Sequence, residues 1–206
     1  AYTYNMSLPM VKKTQTNFNT FEPKLSLRFS PHEMKNNKDL ERRIDINNIF
    51  NSNRLSMNDS FEGGESITLG LNFKKEKIET RNSISEIEEY IDFKLASVFR
   101  LDEEKKISTN STLNKKNSNI FGQFDFKPNK NISLGYNFSL TNDFNTFEYN
   151  SLIAKLEFEN FITEFDYLKE GGIVGDTNVI QNTTKYNFDS QNSISFNTRR
   201  NRRIDL

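Results

Sequence analysis

One pattern recurs along this chain and restricts what it can fold into. About ten residues alternate apolar and polar, a polar turn follows, and the alternation begins again. The clearest copy runs from Ile132 to Leu140. Period 2 puts Ile132, Leu134, Tyr136, Phe138 and Leu140 on one face and Ser133, Gly135, Asn137 and Ser139 on the other. Strands of this length with one apolar and one polar face suit a transmembrane β-barrel, with lipid outside and water inside. They also suit a soluble sheet whose apolar face packs on a second sheet.

Composition favours the barrel. Apolar residues make up only 34% of the 206, yet 19 Phe and 7 Tyr bring the aromatic share to 13%. A soluble core ordinarily draws more on Leu, Val and Ile, whereas a barrel needs apolar side chains only at alternate positions. A disordered chain would be poor in aromatics and strand formers. Basic and acidic residues balance at 28 each, so charge gives no reason to expect a nucleic-acid partner. With no cysteine, disulfides and thiolate metal sites are excluded. No apolar run is long enough for a membrane-spanning helix. No signal peptide is visible, and the end from Arg199 to Leu206 stops inside what reads as another strand. Residues 1–206 are therefore expected to be one partial barrel domain, a fragment of something longer.

Ten strands are expected: Tyr2–Val11, Phe21–Ser30, Glu65–Lys74, Glu89–Leu101, Ser118–Lys127, Asn131–Leu140, Tyr149–Glu159, Phe161–Leu168, Asn178–Asp189 and Asn192–Arg200. Polar stretches at Pro31–Gly63 and Asp102–Asn117 interrupt the series. A short helical turn before the Glu89 strand is an alternative, because Ser83-Ile-Ser-Glu86 resembles a capping box and Ile84, Ile87 and Ile91 are helically spaced. Short connections at Pro128–Lys130, Asn160 and Ser190–Gln191 alternate with longer ones at Thr141–Glu148 and Lys169–Thr177. Tight periplasmic turns and long extracellular loops produce that rhythm, although a connection at Lys75–Glu88 would be long on the short side. Leu69, Leu71, Leu134, Tyr136, Phe138, Leu156, Phe158 and Phe165 should share the outer face. Arg28, Lys94, Lys155, Glu157, Glu164 and Asp166 should face water within. The fold class expected is all-β, an antiparallel meander forming part of a large barrel and left open in this chain.

A longer-range match sharpens this reading. Phe21-Glu-Pro23-Lys-Leu-Ser-Leu-Arg28-Phe-Ser-Pro31 is followed by Asp45-Ile-Asn-Asn-Ile-Phe50-Asn-Ser-Asn53-Arg54-Leu-Ser. Then come Asp59-Ser-Phe-Glu62-Gly63-Gly64 and Ile67-Thr-Leu-Gly70-Leu, and further on Leu113 and Lys116-Asn-Ser118-Asn-Ile120-Phe-Gly122. In order and spacing this string resembles the lipopolysaccharide-assembly family LptD, with Asn119 where the family usually has Asp. The resemblance is concentrated in residues 21–122. It implies a large barrel in the Gram-negative outer membrane that releases lipopolysaccharide into the outer leaflet between its first and last strands. The implied partners are lipopolysaccharide, outer-membrane lipids, an LptE-like plug lipoprotein, and an LptA-like periplasmic bridge reached through an N-terminal jelly-roll domain. Neither that domain, nor the closing strands, nor the cysteines that tie the two in some members, is found in this sequence.

The polar cluster Asp45, Asn53, Arg54, Asp59, Glu62 and Gly63 is the candidate site. As a gating loop folded into the lumen it would contact the plug or control export; as scaffolding it would only hold the barrel's shape. Arg54 with Asp59 or Glu62 would make a buried pair, because charges leaving water need partners. His32, the single histidine, reads as a solvated loop residue, and Gly171–Gly175 as a turn and not a phosphate loop. Arg199, Arg200, Arg202 and Arg203 read as strand-end charges, with binding of an anionic glycolipid as the alternative. Glu157 and Glu164 could mimic a glycosidase pair, but alternating strand charges account for them. No nucleophile–base pair or metal-ligand spacing appears, so no enzyme and no cofactor is expected. A porin or nutrient receptor, or a soluble β-sheet binding or adhesion module, are the competing functions.

Overall fold

The computed structural model describes residues 1–58, 60–81 and 84–202. Eleven strands form one antiparallel meander: β1 (Tyr2–Ser7), β2 (Met10–Lys13), β3 (Asn17–Ser30), β4 (Gly64–Arg81), β5 (Ile84–Arg100), β6 (Ile120–Asn129), β7 (Ile132–Leu140), β8 (Phe147–Phe158), β9 (Phe161–Glu170), β10 (Asn178–Asn187) and β11 (Ser193–Asn201). Each strand from β3 onward pairs with the next, and no pairing joins β11 to β1 among the described residues. The sheet is all-β and open, as expected. No helix among these residues is long and apolar enough to cross a membrane, which leaves crossing by strands untouched.

β1 and β2 are one strand chemically. Both pair with β3 in an unbroken register, Tyr2 opposite Phe29 and Met10 opposite Phe21. Between them Leu8 donates its N–H to the Pro23 carbonyl at 3.1 Å. The return bond cannot form, because Pro23 has no N–H. The ten expected strands are therefore the ten positions of the sheet. β3, β4 and β5 run longer than periodicity implied. The connection expected at Lys75–Glu88 is strand to Arg81 and again from Ile84, and Ile84, Ile87 and Ile91 lie in β5, not in a helical turn. Residue pairing across β4 and β5 satisfies these backbones outright, whereas a short isolated turn would not. Ser83 lies outside the described residues.

Polarity is inverted relative to a soluble sheet. On β3 and β4 the polar Ser26, Arg28, Ser30, Ser66 and Thr68 are buried, while Leu27 and Phe29 are exposed and Ile67 and Leu69 are 38% and 48% exposed. Register carries one apolar face across the sheet: Leu71 opposite Leu95, Leu95 opposite Gly122, Gly122 opposite Phe138. Leu134, Ala154 and Phe165 form a parallel row on that face. Lys155 stands opposite Glu164, and Arg28 opposite Ser66, on the other face.

The apolar band drifts as it crosses the strands. It centres near Leu25 on β3 and near Phe165 on β9. The register row of Phe165 runs through Ala154, Leu134, Phe126, Ile91 and Lys75 to Asn19 on β3, so the band moves six residues over six strand steps. At about 3.3 Å per residue and about 4.8 Å per strand, that is a strand tilt of about 35°. Transmembrane barrels tilt by about 35–45°.

Connections at one end of the strands are short, and at the other end they span residues 31–63, 101–119, 141–146 and 171–177. The two longest fold back over the polar face. Met34, Ile44, Ile46, Ile49, Leu55 and Met57 from the first loop, and Ile107 and Leu113 from the second, pack against Ala96, Val98 and Phe121. Each of these loop side chains gains about 1.5–3 kcal/mol over exposure. The chain's one hydrophobic core among the described residues thus lies between loops and the inner wall.

Candidate functional site

Within that packed region three arginines converge on one carboxylate. Glu62, at the end of the 31–63 loop, accepts from Arg54 Nε at 2.8 Å and Arg54 Nη2 at 2.5 Å, and from Arg100 Nη1 at 2.7 Å. Arg28 Nε stands 3.7 Å from its other side. All four side chains are at least 96% buried. Strand geometry explains the convergence. Ser66 sits between Arg28 on β3 and Arg100 on β5 in the same register row. Its small side chain leaves room for Arg54, which donates to Ser66 Oγ at 3.1 Å and Thr68 Oγ1 at 2.9 Å.

Backbone carbonyls take further guanidinium donors. Arg28 reaches the carbonyls of Ser52 at 2.8 Å and Asn51 at 2.9 Å, and Arg100 reaches the carbonyls of Gly63 and Asp102. Gly64 makes this possible. It holds φ +81°, and a Cβ there would lie 2.7 Å from Arg100 Nη2. Burial alone would raise the Glu62 carboxyl, but Arg54, Arg28 and Arg100 together hold it below the usual carboxylate range. With all four side chains almost fully buried around Glu62, the cluster leaves no opening for an external anion. The arrangement fastens the loop to the wall at a defined place, while apolar insertion supplies most of the attraction. Buried ion pairs fix geometry more dependably than they add stability.

Of the expected cluster, Arg54, Glu62 and Gly63 meet here, and the pairing falls on Glu62. Asp45 and Asn53 are exposed turn builders. Asp45 Oδ1 accepts from the amides of Asn47 at 2.7 Å and Asn48 at 3.0 Å, and Asn53 bonds Met57 in both directions. Asp59 lies outside the described residues. Arg100 was not legible as a partner. Its polar-face position was visible, but only the cross-strand register brings it to Glu62. Gly70 also finds its reason: Phe50 lies where its Cβ would be, 2.5 Å from the ring.

A second cluster lies further along the wall. Asn119 Nδ2 donates to Glu148 Oε2 at 2.5 Å and Ser139 Oγ at 2.9 Å, all three buried. An aspartate at 119 would face Glu148 with a second carboxylate, so the amide suits this chain. Arg43, on the 31–63 loop, pairs with Glu170 at the end of β9. The loop thus reaches from β3 across the wall to β9. His32 is exposed, as are Arg199, Arg200 and Arg202 at the β11 end; Arg203 lies outside the described residues.

No curated protein matches the chain. The family model LptD, LPS transport system D, matches residues 1–200, nearly the whole chain and well beyond the motif region. With an open antiparallel sheet, a drifting apolar band and long loops folded onto a polar wall, the chain belongs to the LptD family, outer-membrane proteins of Gram-negative bacteria that serve lipopolysaccharide transport and not catalysis.

Proposed function

We propose that this chain forms part of a barrel that inserts lipopolysaccharide into the outer leaflet through a lateral opening. The observation that supports this best is the inverted burial, with Leu69 exposed and Thr68 and Ser66 buried, in a chain of this family. In this reading the apolar face meets outer-membrane lipid and the polar face lines a lumen that passes the sugar head. The acyl chains stay in lipid, so no covalent chemistry is needed. By the rule that periplasmic turns are short, the end carrying the long loops is extracellular. At the other end the inner wall opens a concavity of about 860 Å³ lined by Lys74, Glu76, Asp125, Lys155 and Glu157. Its mixed charges suit an LptE-like plug lipoprotein. An LptA-like bridge would deliver lipopolysaccharide through a periplasmic domain of the intact protein.

The 31–63 loop is the gate in this proposal, with Arg54 and Glu62 as its fastening. The test is surface labelling of lipopolysaccharide in cells depleted of the native protein, with barrel level measured in parallel. Arg54→Ala is expected to lower surface labelling at an unchanged barrel level. Normal labelling at a normal level would reduce the loop to scaffolding, and a barrel that never accumulates would make Arg54 a folding residue.

A further inference from the structure

Asp45 and Asn47 belong to the motif-bearing loop yet take no part in the arginine cluster. They lie instead over a separate cavity of about 230 Å³ between that loop and the inner wall. Phe121 on β6, Asn137 on β7 and Tyr149 on β8 supply its wall side, and Asn110 from the second long loop borders it. Alternation places Phe121, Asn137 and Tyr149 on the polar face, because Gln123 pairs with Asn137 and Ser139 pairs with Tyr149.

The lining is chemically particular. It offers three aromatic rings, three carboxamides, one carboxylate and the Ser139 hydroxyl, with Ile44, Ile46 and Val174 among the apolar remainder. The Asn47 and Asn137 side chains and the Tyr149 hydroxyl have no hydrogen-bond partner among the described residues. Asp45 spends Oδ1 on backbone amides, which leaves Oδ2 for a donor. Arg43, the cation at the rim, is already engaged by Glu170. Carboxamides and a phenol both donate and accept, and so match a ring of hydroxyls; the aromatic faces match its C–H surface. An anionic group would meet Asp45 with no uncommitted cation. The volume falls below the roughly 300–1,000 Å³ of sites for drug-sized ligands and suits one ring.

From this lining we infer that the cavity under the loop is a subsite for a single neutral sugar ring. It rests on the lipopolysaccharide-transport reading for its ligand's source, an uncharged residue of the saccharide part passing along the lumen. It adds to that reading a place where the sugar is held, so the loop grips cargo as well as closing over it.

The test uses the intact protein in detergent micelles, with binding followed by saturation-transfer NMR and calorimetry. The probes are a dephosphorylated core oligosaccharide cleaved from lipopolysaccharide, free glucose, and inorganic phosphate. The oligosaccharide should bind and phosphate should not. Tyr149→Ala and Asn137→Ala should each weaken oligosaccharide binding at least tenfold, as should Asn47→Ala, which leaves the strands untouched. Lys185→Ala, on the same face of the sheet in β10 but away from the cavity, should bind as wild type does. Tighter binding of the oligosaccharide than of glucose supports lipopolysaccharide as the source; equal binding supports the sugar class with a free ring as its source. Wild-type affinity in Asn47→Ala together with either wall variant would overturn the proposal, as would phosphate competing with the oligosaccharide. A wild-type protein that restores surface lipopolysaccharide but binds no oligosaccharide overturns the subsite and leaves the transport reading standing. Failure to restore surface lipopolysaccharide would instead count against the transport reading, while the binding data still decide the subsite.

Discussion

Glu62→Gln isolates the fastening of the 31–63 loop. The substitution keeps the side chain's shape and removes the one carboxylate that three buried guanidiniums share. Breaking a buried pair by removing one partner costs about 3–5 kcal/mol, because the remaining charge is left uncompensated. Here three charges are left, so the upper part of that range applies. At about 1.36 kcal/mol per decade, a cost of about 4–5 kcal/mol lowers the ratio of docked to undocked loop by roughly 10³–10⁴. Arg54→Met should be milder, because Glu62 keeps Arg100 at 2.7 Å and the local excess of positive charge falls. The double variant should cost less than the sum of the two, as expected for groups in direct contact. The assay is limited trypsin digestion of the intact protein in membranes. Cleavage is read by mass spectrometry after Lys35, Lys38, Arg42 and Arg43, all on this loop, and barrel integrity by heat-modifiable gel mobility. Glu62→Gln should cut fastest with the barrel intact. Wild-type cleavage in Glu62→Gln, or faster cleavage in Arg54→Met, would refute the idea that one carboxylate holds three cations in place.

Two further expectations follow from the same structure. Glu62 titrates below the usual carboxylate range, so its contribution is present at neutral pH, persists above the unfolded-state value of about 4, and is lost as pH falls through the lower folded value; loop cleavage by an acid-tolerant protease should stay flat from pH 7 to about 5 and rise only in stronger acid, and a rise near neutrality would contradict this. Leu156 shares the apolar face with Ala154 and Phe165, whereas Lys155 stands opposite Glu164 on the polar face; Leu156→Arg should cost about 2–4 kcal/mol near the bilayer midplane in a membrane-folding titration, Lys155→Ala little, and equal tolerance at the two sites would count against a lipid-facing Leu156.

The sequence by itself determined the strands and their facing. Alternation is a local property, readable wherever one face meets a different medium from the other, as at Ile132–Leu140. It also determined that charges such as Lys155 and Glu164 face water, and, through the order of Asn53-Arg54, Glu62-Gly63 and Gly70, the family. It misjudged the β4–β5 hairpin because Lys75–Glu79 and Glu86–Glu88 are largely charged and read as loop; pairing of β4 with β3 and with β5 carries their backbones through. Only the tertiary structure decided what Arg54 and Glu62 do. Arg28 and Arg100 lie far apart in the chain, and register alone sets them on either side of Ser66. The placement of the core was likewise beyond local pattern. Ile49, Ile107 and Leu113 carry no periodicity and lie in polar stretches, yet they are almost fully buried. Their burial depends on two loops meeting over a wall of small side chains, Ala96, Ser66 and Gly70, and that surface exists only once the strands have paired.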